Sequence, residues 1–420
     1  MFNTFSIFLF LCKFSEEKNK LVGYLCHWIS ISNIIIYVII KIGDNMDNNQ
    51  KKFGTYVFLS TFARNLIEVF VPIILYKFGF AFKEVLLYYL LVSAFSLVLS
   101  YPYIYLSNKY SNKLVGFIGI FSFVIVQILL NNIQKSKLFL VLLSLVFSLY
   151  KRGYWISRRY YNLRVIRKEN ISSTYSLISI INHIGVIFSS YIGSIFLDFV
   201  SISVLTTIAI TLFVISVIPL YLLNFEHKDK TVKLEPLKTF IRVPKRNLYL
   251  FGTYELIDVV KFLFNLYLVI YVKDNYQTIG ILNLFTNLAT ILFAYFYGKK
   301  INEEKNFLNL SIFFVVTVYL FKLSFTSYIL VLISFLEGIF VKMYELSIQK
   351  EFYSLSKKFE YHNYNFMYEV TESFSRTLMA AILYFFASDL KIMIIIVLLT
   401  IISASFIKFK GMNIRDYRYK

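Results

Sequence analysis

Four groups of ionisable side chains lie inside long apolar stretches of this chain: Arg64 with Glu68; Glu255, Asp258 and Lys261; Glu337, Lys342 and Glu345; and Glu369, Glu372 and Arg376. A charge at the centre of a bilayer costs at least about 2.5 to 3.5 kcal/mol on insertion scales, so such groups turn toward a bundle interior or a watered cavity. Residues three and four apart share one face of a helix. Each group is therefore one polar stripe, able to neutralise itself by ion pairing, to hold a charged part of a solute, or to take up and release a proton.

Glu68 and Asp258 are read as carboxylates facing each other across a cavity, with Arg64, Glu255, Lys261 and Glu337 beside them. The bland reading of Arg64 with Glu68, and the favoured one for Glu372 with Arg376, is an internal salt bridge. Arg152 and Lys342 are candidates for an anionic part of a substrate, or are snorkelling anchors. Asn182 and His183 are candidate polar lining. The run Lys151 to Lys168, with Trp155, Arg158 and Arg159, mixes aromatic and basic residues as single-strand nucleic-acid binders do. Directly after an apolar stretch, it is expected instead to lie at a membrane surface against anionic headgroups.

The elements that must position these residues are membrane helices. The chain is 58% hydrophobic and 16% charged, more apolar than one water-soluble core needs. Helices are predicted at 55–76, 85–106, 114–130, 138–157, 171–197 and 201–224, and again at 248–272, 278–297, 307–321, 328–348, 367–386 and 392–406. The net charge of +20 resides mostly in alternate connections. An imbalance of about four to one puts both ends of the body in the cytoplasm of a plasma or inner membrane. Cys12 and Cys26 lie outside the body, so no disulfide or thiol metal site is expected there.

Sliding the chain by 190 residues superposes Asn65-Leu-Ile-Glu68-Val on Glu255-Leu-Ile-Asp258-Val, Lys109 on Lys299, and Arg152 on Lys342. The expected organisation is an N-terminal extension at 1–50 (an added helix at 21–42, or sequence upstream of a start at Met46), a six-helix bundle at 51–224, a cytoplasmic linker at 225–247, a second bundle at 248–409 and a basic tail at 410–420. Two parallel six-helix repeats form an all-α multi-pass membrane protein with a site between the halves.

The loop Ile104-Tyr-Leu106-Ser107-Asn108-Lys109-Tyr-Ser111-Asn112-Lys113 and its shorter counterpart Tyr297-Gly298-Lys299-Lys300 resemble the basic loop between helices 2 and 3 of the major facilitator superfamily. That loop usually reads Gly-x-Leu-Ala-Asp-Arg-x-Gly-Arg-Arg; Leu106, Lys109 and Lys113 keep its character, and both glycines and the aspartate are replaced. Asn182-His-Ile-Gly185 with Gly193 is similar to the glycine-rich fifth helix of exporters in that family, without their Gly-Pro pair. The resemblance covers 51–420 and implies a secondary active transporter of a small solute, working as a monomer by alternating access. Coupling to a proton or cation, and gating by Asn108, Lys109, Lys113, Lys299 and Lys300, are expected with it. No cofactor, metal or nucleic acid is expected, and with no Walker motif ATP would not drive it. The alternatives are a lipid-linked oligosaccharide flippase, which would welcome an extra N-terminal helix, and a membrane-embedded lipid-modifying enzyme. The loops lack the carboxylate or histidine clusters such an enzyme needs.

Overall fold

The computed structural model describes residues 46–166, 171–223, 232–272, 276–298, 307–324, 328–356, 359–386 and 389–406. Residues 1–45 of the extension, the whole basic tail at 410–420, part of the linker, and Lys299 and Lys300 lie outside them. The described residues are helical, without strands: α1 (Asn48–Asn65), α2 (Val71–Lys77), α3 (Phe82–Lys109), α4 (Asn112–Asn131), α5 (Lys137–Val165), α6 (Ile171–Phe199), α7 (Ile202–Ile215), α8 (Val217–Tyr221), α9 (Pro236–Arg242), α10 (Lys245–Tyr267), α11 (Tyr276–Tyr297), α12 (Phe307–Ser324), α13 (Tyr328–Ser356), α14 (Tyr361–Phe386) and α15 (Leu390–Phe406).

Seven spans among the described residues are long and apolar enough to cross a membrane, counting α1 with α2 and α7 with α8 as one each. Three more, α10, α13 and α14, have the length, and each carries three charged residues in its central stretch. Helices α12 and α15 are apolar and shorter. The second set repeats the first. Helix α5 runs from 137 to 165 and α13 from 328 to 356; α6 begins at 171 and α14 at 361.

Local chemistry sets the breaks. Pro72 lacks an N–H, and its ring collides with the carbonyl four residues back, at Glu68. The α1 ladder stops at Asn65, residues 68–70 tighten into a single 3-10 turn, and α2 starts afresh. The expected continuous helix at 55–76 is thus split at Glu68. Serine caps start three helices: the hydroxyls of Ser111, Ser136 and Ser201 accept from the backbone N–H of Leu114, Phe139 and Val204 at 3.1, 3.1 and 3.3 Å.

Polarity is inverted relative to a water-soluble core. Val98, Phe121, Leu138 and Phe386 stand exposed on the outside, whereas Arg152, Lys342 and Glu369 are fully buried. The two halves meet in a reciprocal pattern: α3 packs on α14, and α6 on α11. These are the second and fifth spans of each repeat with their roles exchanged, as a two-fold relation between halves requires. Small residues bring α6 and α11 together, with Gly280 against the Ser194 hydroxyl and Gly298 against that of Ser176.

Two chain segments reach farther than hydropathy suggests. Helix α5 continues to Val165, eight residues past the expected end at 157, and α14 starts at Tyr361 rather than 367. Arg158 and Arg159 are therefore buried helix residues, not a headgroup-binding loop. Partners inside the bundle accept their hydrogen bonds, so the helix goes on where the apolar run stops.

At the linker end, residues 232–235 have no regular secondary structure and α9 follows. The Asn108 side chain brackets Val232, donating to its carbonyl at 2.7 Å and accepting from its N–H at 3.0 Å. Asn363 of α14 accepts from the Glu235 N–H at 2.7 Å. The linker is thus pinned to both halves. Glu235 is half-buried there, and the Lys238 ammonium bonded to it holds its carboxyl below the usual carboxylate range.

Candidate functional site

A cavity of about 440 Å³ lies among α1, α3, α5 and α6 of the first half and α10, α11, α13 and α14 of the second. Both Glu68 and Asp258 line it, and so do Arg64, Glu255, Lys261, Glu337, Asn182 and Lys342.

Most of the charges in its wall are paired. Glu68, at the α1 break, meets Arg64 at 3.3 Å and Lys151 at 3.6 Å, and accepts from the Tyr150 hydroxyl at 3.1 Å. Glu337 is bonded by Lys322 and by the Tyr319 hydroxyl. Glu345 pairs with Lys342 at 2.7 Å and accepts from Tyr175 at 2.8 Å. Lys342 also donates to Ser179 on the opposite half.

Between the halves, Arg152 and Arg159 of α5 both reach Glu369 and Glu372 of α14. The Arg159–Glu372 bridge is 2.6 Å and the Arg152–Glu372 bridge 3.5 Å. Arg376 adds a bond to Glu372 and lies 3.8 Å from Glu255. Three arginines and three carboxylates thus close one buried network. Burial of ions is tolerable only when each has a partner, which is how mid-bundle charges persist here. Arg152 belongs to this network and does not line the cavity.

Three lining charges stand outside the pairing. Asp258 is exposed to the cavity, and among the described residues no cation lies within 4 Å of it; every other lining carboxylate has one. Lys261, one turn on, likewise has no carboxylate partner there. Among the described residues Arg158 is bonded only to neutral oxygens: Tyr154 at 2.7 Å, Thr61 at 3.3 Å and Asn182 at 2.8 Å. His183 Nδ1 lies 2.7 Å from the Asn287 side-chain oxygen.

Of the expected gating residues, Asn108 holds the linker, Lys113 donates to the Tyr221 carbonyl at 2.9 Å, and Lys109 lies over the rings of Tyr105 and Tyr110. Among the described residues no group of three or more His, Cys, Asp or Glu is placed to hold a metal ion. Arg158 and Arg159 are the site residues the sequence reading passed over. Trp155, Arg158, Arg159 and Asn162 all line the cavity and recur at the three-and-four spacing of a helix face. That periodicity was the available signal.

The sequence profile of the Major Facilitator Superfamily matches residues 54–407. The chain belongs to the Major Facilitator Superfamily. It is thereby a multi-pass membrane transporter. Solved structures with the same fold include a bacterial homologue of the iron transporter ferroportin in an outward-facing state, at TM-score 0.66 and 11% identity, covering 86% of this chain and 98% of that one. The same homologue soaked with iron matches at 0.63 and 12%, covering 85% and 97%. The human organic anion transporter MFSD10 (TETRAN) matches at 0.60 and 11%, covering 86% and 99%. No curated protein sequence matches the chain. Identities this low carry the fold to this member of the superfamily and leave its cargo to its own residues.

Proposed function

We propose that the protein is a secondary active transporter of the cell membrane that moves a small solute by alternating access, with Asp258 taking up and releasing the coupling proton or cation. The observation that carries this reading is the isolation of Asp258. It faces the cavity without an ion-pair partner among the described residues, while Glu68, Glu255, Glu337, Glu345 and Glu372 are each held by a cation. A cation beside a carboxylate favours its ionised form. An unpaired one in contact with cavity water is free to exchange its counterion with each cycle.

On this reading the bundles at 51–224 and 248–409 rock about the cavity as a monomer, with both ends of the body cytoplasmic. Asn108, Lys109 and Lys113, joined by Lys299 and Lys300, would govern the linker end. Proteoliposomes loaded with a pH-sensitive dye and offered a metabolite library under an imposed pH gradient test it. Solute flux that follows the gradient, and loses that dependence in Asp258→Asn, is the expected result. Gradient-independent lipid scrambling, or chemical turnover of a lipid, would overturn it.

A further inference from the structure

We propose that the cargo is a small organic anion and that Arg158 is its principal anchor, an inference that rests on the transport reading and supplies its substrate class. Eight lysines and arginines line the cavity against six carboxylates. The ion pairs described above absorb most of both, and what remains unpaired is Arg158 and Lys261 against Asp258.

Arg158 is 5% exposed, and its charge has no carboxylate within 4 Å among the described residues. A guanidinium has five N–H donors. Tyr154, Thr61 and Asn182 engage three, and the Nε–H has no partner. Those neutral oxygens, with the Trp155 ring 5.1 Å away, fix the orientation of the side chain without cancelling its charge. Asn182 accepts from Thr61 at 2.8 Å as well as from Arg158, so the anchor is braced from α1 and α6 together.

A buried cation left without an anion is costly. Where every other buried arginine on the cavity wall has a carboxylate, the missing anion at Arg158 is one that none of the described residues supplies. A carboxylate or phosphate group of the cargo completes the site, with Lys261 available to a second acidic group. Asp258 then stands across from the cargo as the coupling carboxylate, where its protonation relieves repulsion against an anionic solute.

The test uses the purified full chain and a probe set at constant ionic strength: succinate, glycerol 3-phosphate, the neutral succinamide and the cationic choline. Thermal unfolding is expected to shift upward with succinate or glycerol 3-phosphate and not with succinamide or choline. The apparent affinity of the binding anion should fall about tenfold or more in Arg158→Gln, less in Arg158→Lys, and measurably in Lys261→Gln, which removes no ion pair among the described residues. Stabilisation by choline or succinamide alone, no stabilisation by either anion, or anion binding unchanged in both Arg158→Gln and Lys261→Gln overturns the proposal. Radiolabelled uptake separates it from the transport reading. An anion bound through Arg158 but never carried into proteoliposomes leaves the site standing and sinks transport. Carriage of choline alone does the reverse.

Discussion

Arg159 on α5 and Glu372 on α14 form a 2.6 Å ion pair between residues 213 positions apart, and the pair joins one half of the transporter to the other. Arg152, Glu369, Arg376 and Glu255 complete the network, so the bridge is buried and multiply bonded rather than a single surface contact. The halves cannot separate along this seam without exposing six charged side chains or finding them new partners. Water entering the gap supplies those partners, which ties opening of the seam to its hydration.

Removing one member of this network leaves an uncompensated buried charge. Glu369→Gln is expected to cost about 3 to 5 kcal/mol of stability, the usual penalty for breaking a buried pair from one side. It should also favour conformations in which α5 and α14 part. Thermal unfolding in detergent checks the first effect. Faster labelling of a cysteine placed at Tyr160, which contacts the Tyr361 ring at the linker end, checks the second.

The linker should be releasable without disturbing the bundle. Asn108→Ala deletes both hydrogen bonds to Val232 and leaves the buried helices untouched. Global stability is expected to fall by about 1 to 2 kcal/mol or less, in line with two partly buried hydrogen bonds. Limited proteolysis within 224–235 should accelerate severalfold. Equal cleavage rates in variant and wild type would mean that Asn108 does not hold the segment.

The twelve-span outline was legible because it depends on quantities the sequence carries directly, namely apolar length and a constant offset between halves. Structure adds a related hydrogen bond: Tyr154 lies 3.3 Å from Ser60, and its counterpart at that offset, Tyr344, lies 3.1 Å from Thr253, three residues beyond the position that matches Ser60. Glu68 and Asp258 were found by the same offset. Arg158 and Arg159 were not, because falling hydropathy was read as the end of a helix. Their partners, Asn182 in one case and Glu369 with Glu372 in the other, lie 24 to 213 residues away. No local window sees a buried charge held by partners at that distance. Nor does local pattern reveal that Arg152 turns away from the cavity while Arg158, less than two turns on, lines it.

Close helix approach gives a prediction independent of charge. A Cβ on Gly193 would sit 2.2 Å from the Leu66 carbonyl oxygen, backbone that cannot rotate aside. Gly193→Ala should force α6 away from the α1 break and cost about 1 to 3 kcal/mol, as overpacking does. The displaced carbonyl lies two residues before Glu68, so transport is expected to suffer along with stability. An unaltered unfolding temperature in Gly193→Ala would show that the approach is looser than 2.2 Å implies.

Asp258 and Glu337 offer a controlled comparison between two acidic residues of one cavity. Glu337 is buried and bonded to Lys322 and Tyr319. Glu337→Gln strands the Lys322 ammonium, which is itself buried, and stability should drop by about 3 kcal/mol or more. Asp258 is exposed to the cavity and pairs with nothing among the described residues, so Asp258→Asn is expected to shift stability by no more than about 0.5 kcal/mol. The functional order should be the opposite in kind. Asp258→Asn, normally folded, is expected to lose gradient-driven flux while retaining exchange of solute down its own gradient. Thermal unfolding paired with counterflow in proteoliposomes reads both quantities on the same preparations. A marked loss of stability in Asp258→Asn would reveal a hidden partner for this carboxylate, and its role as the exchanging group would have to be abandoned.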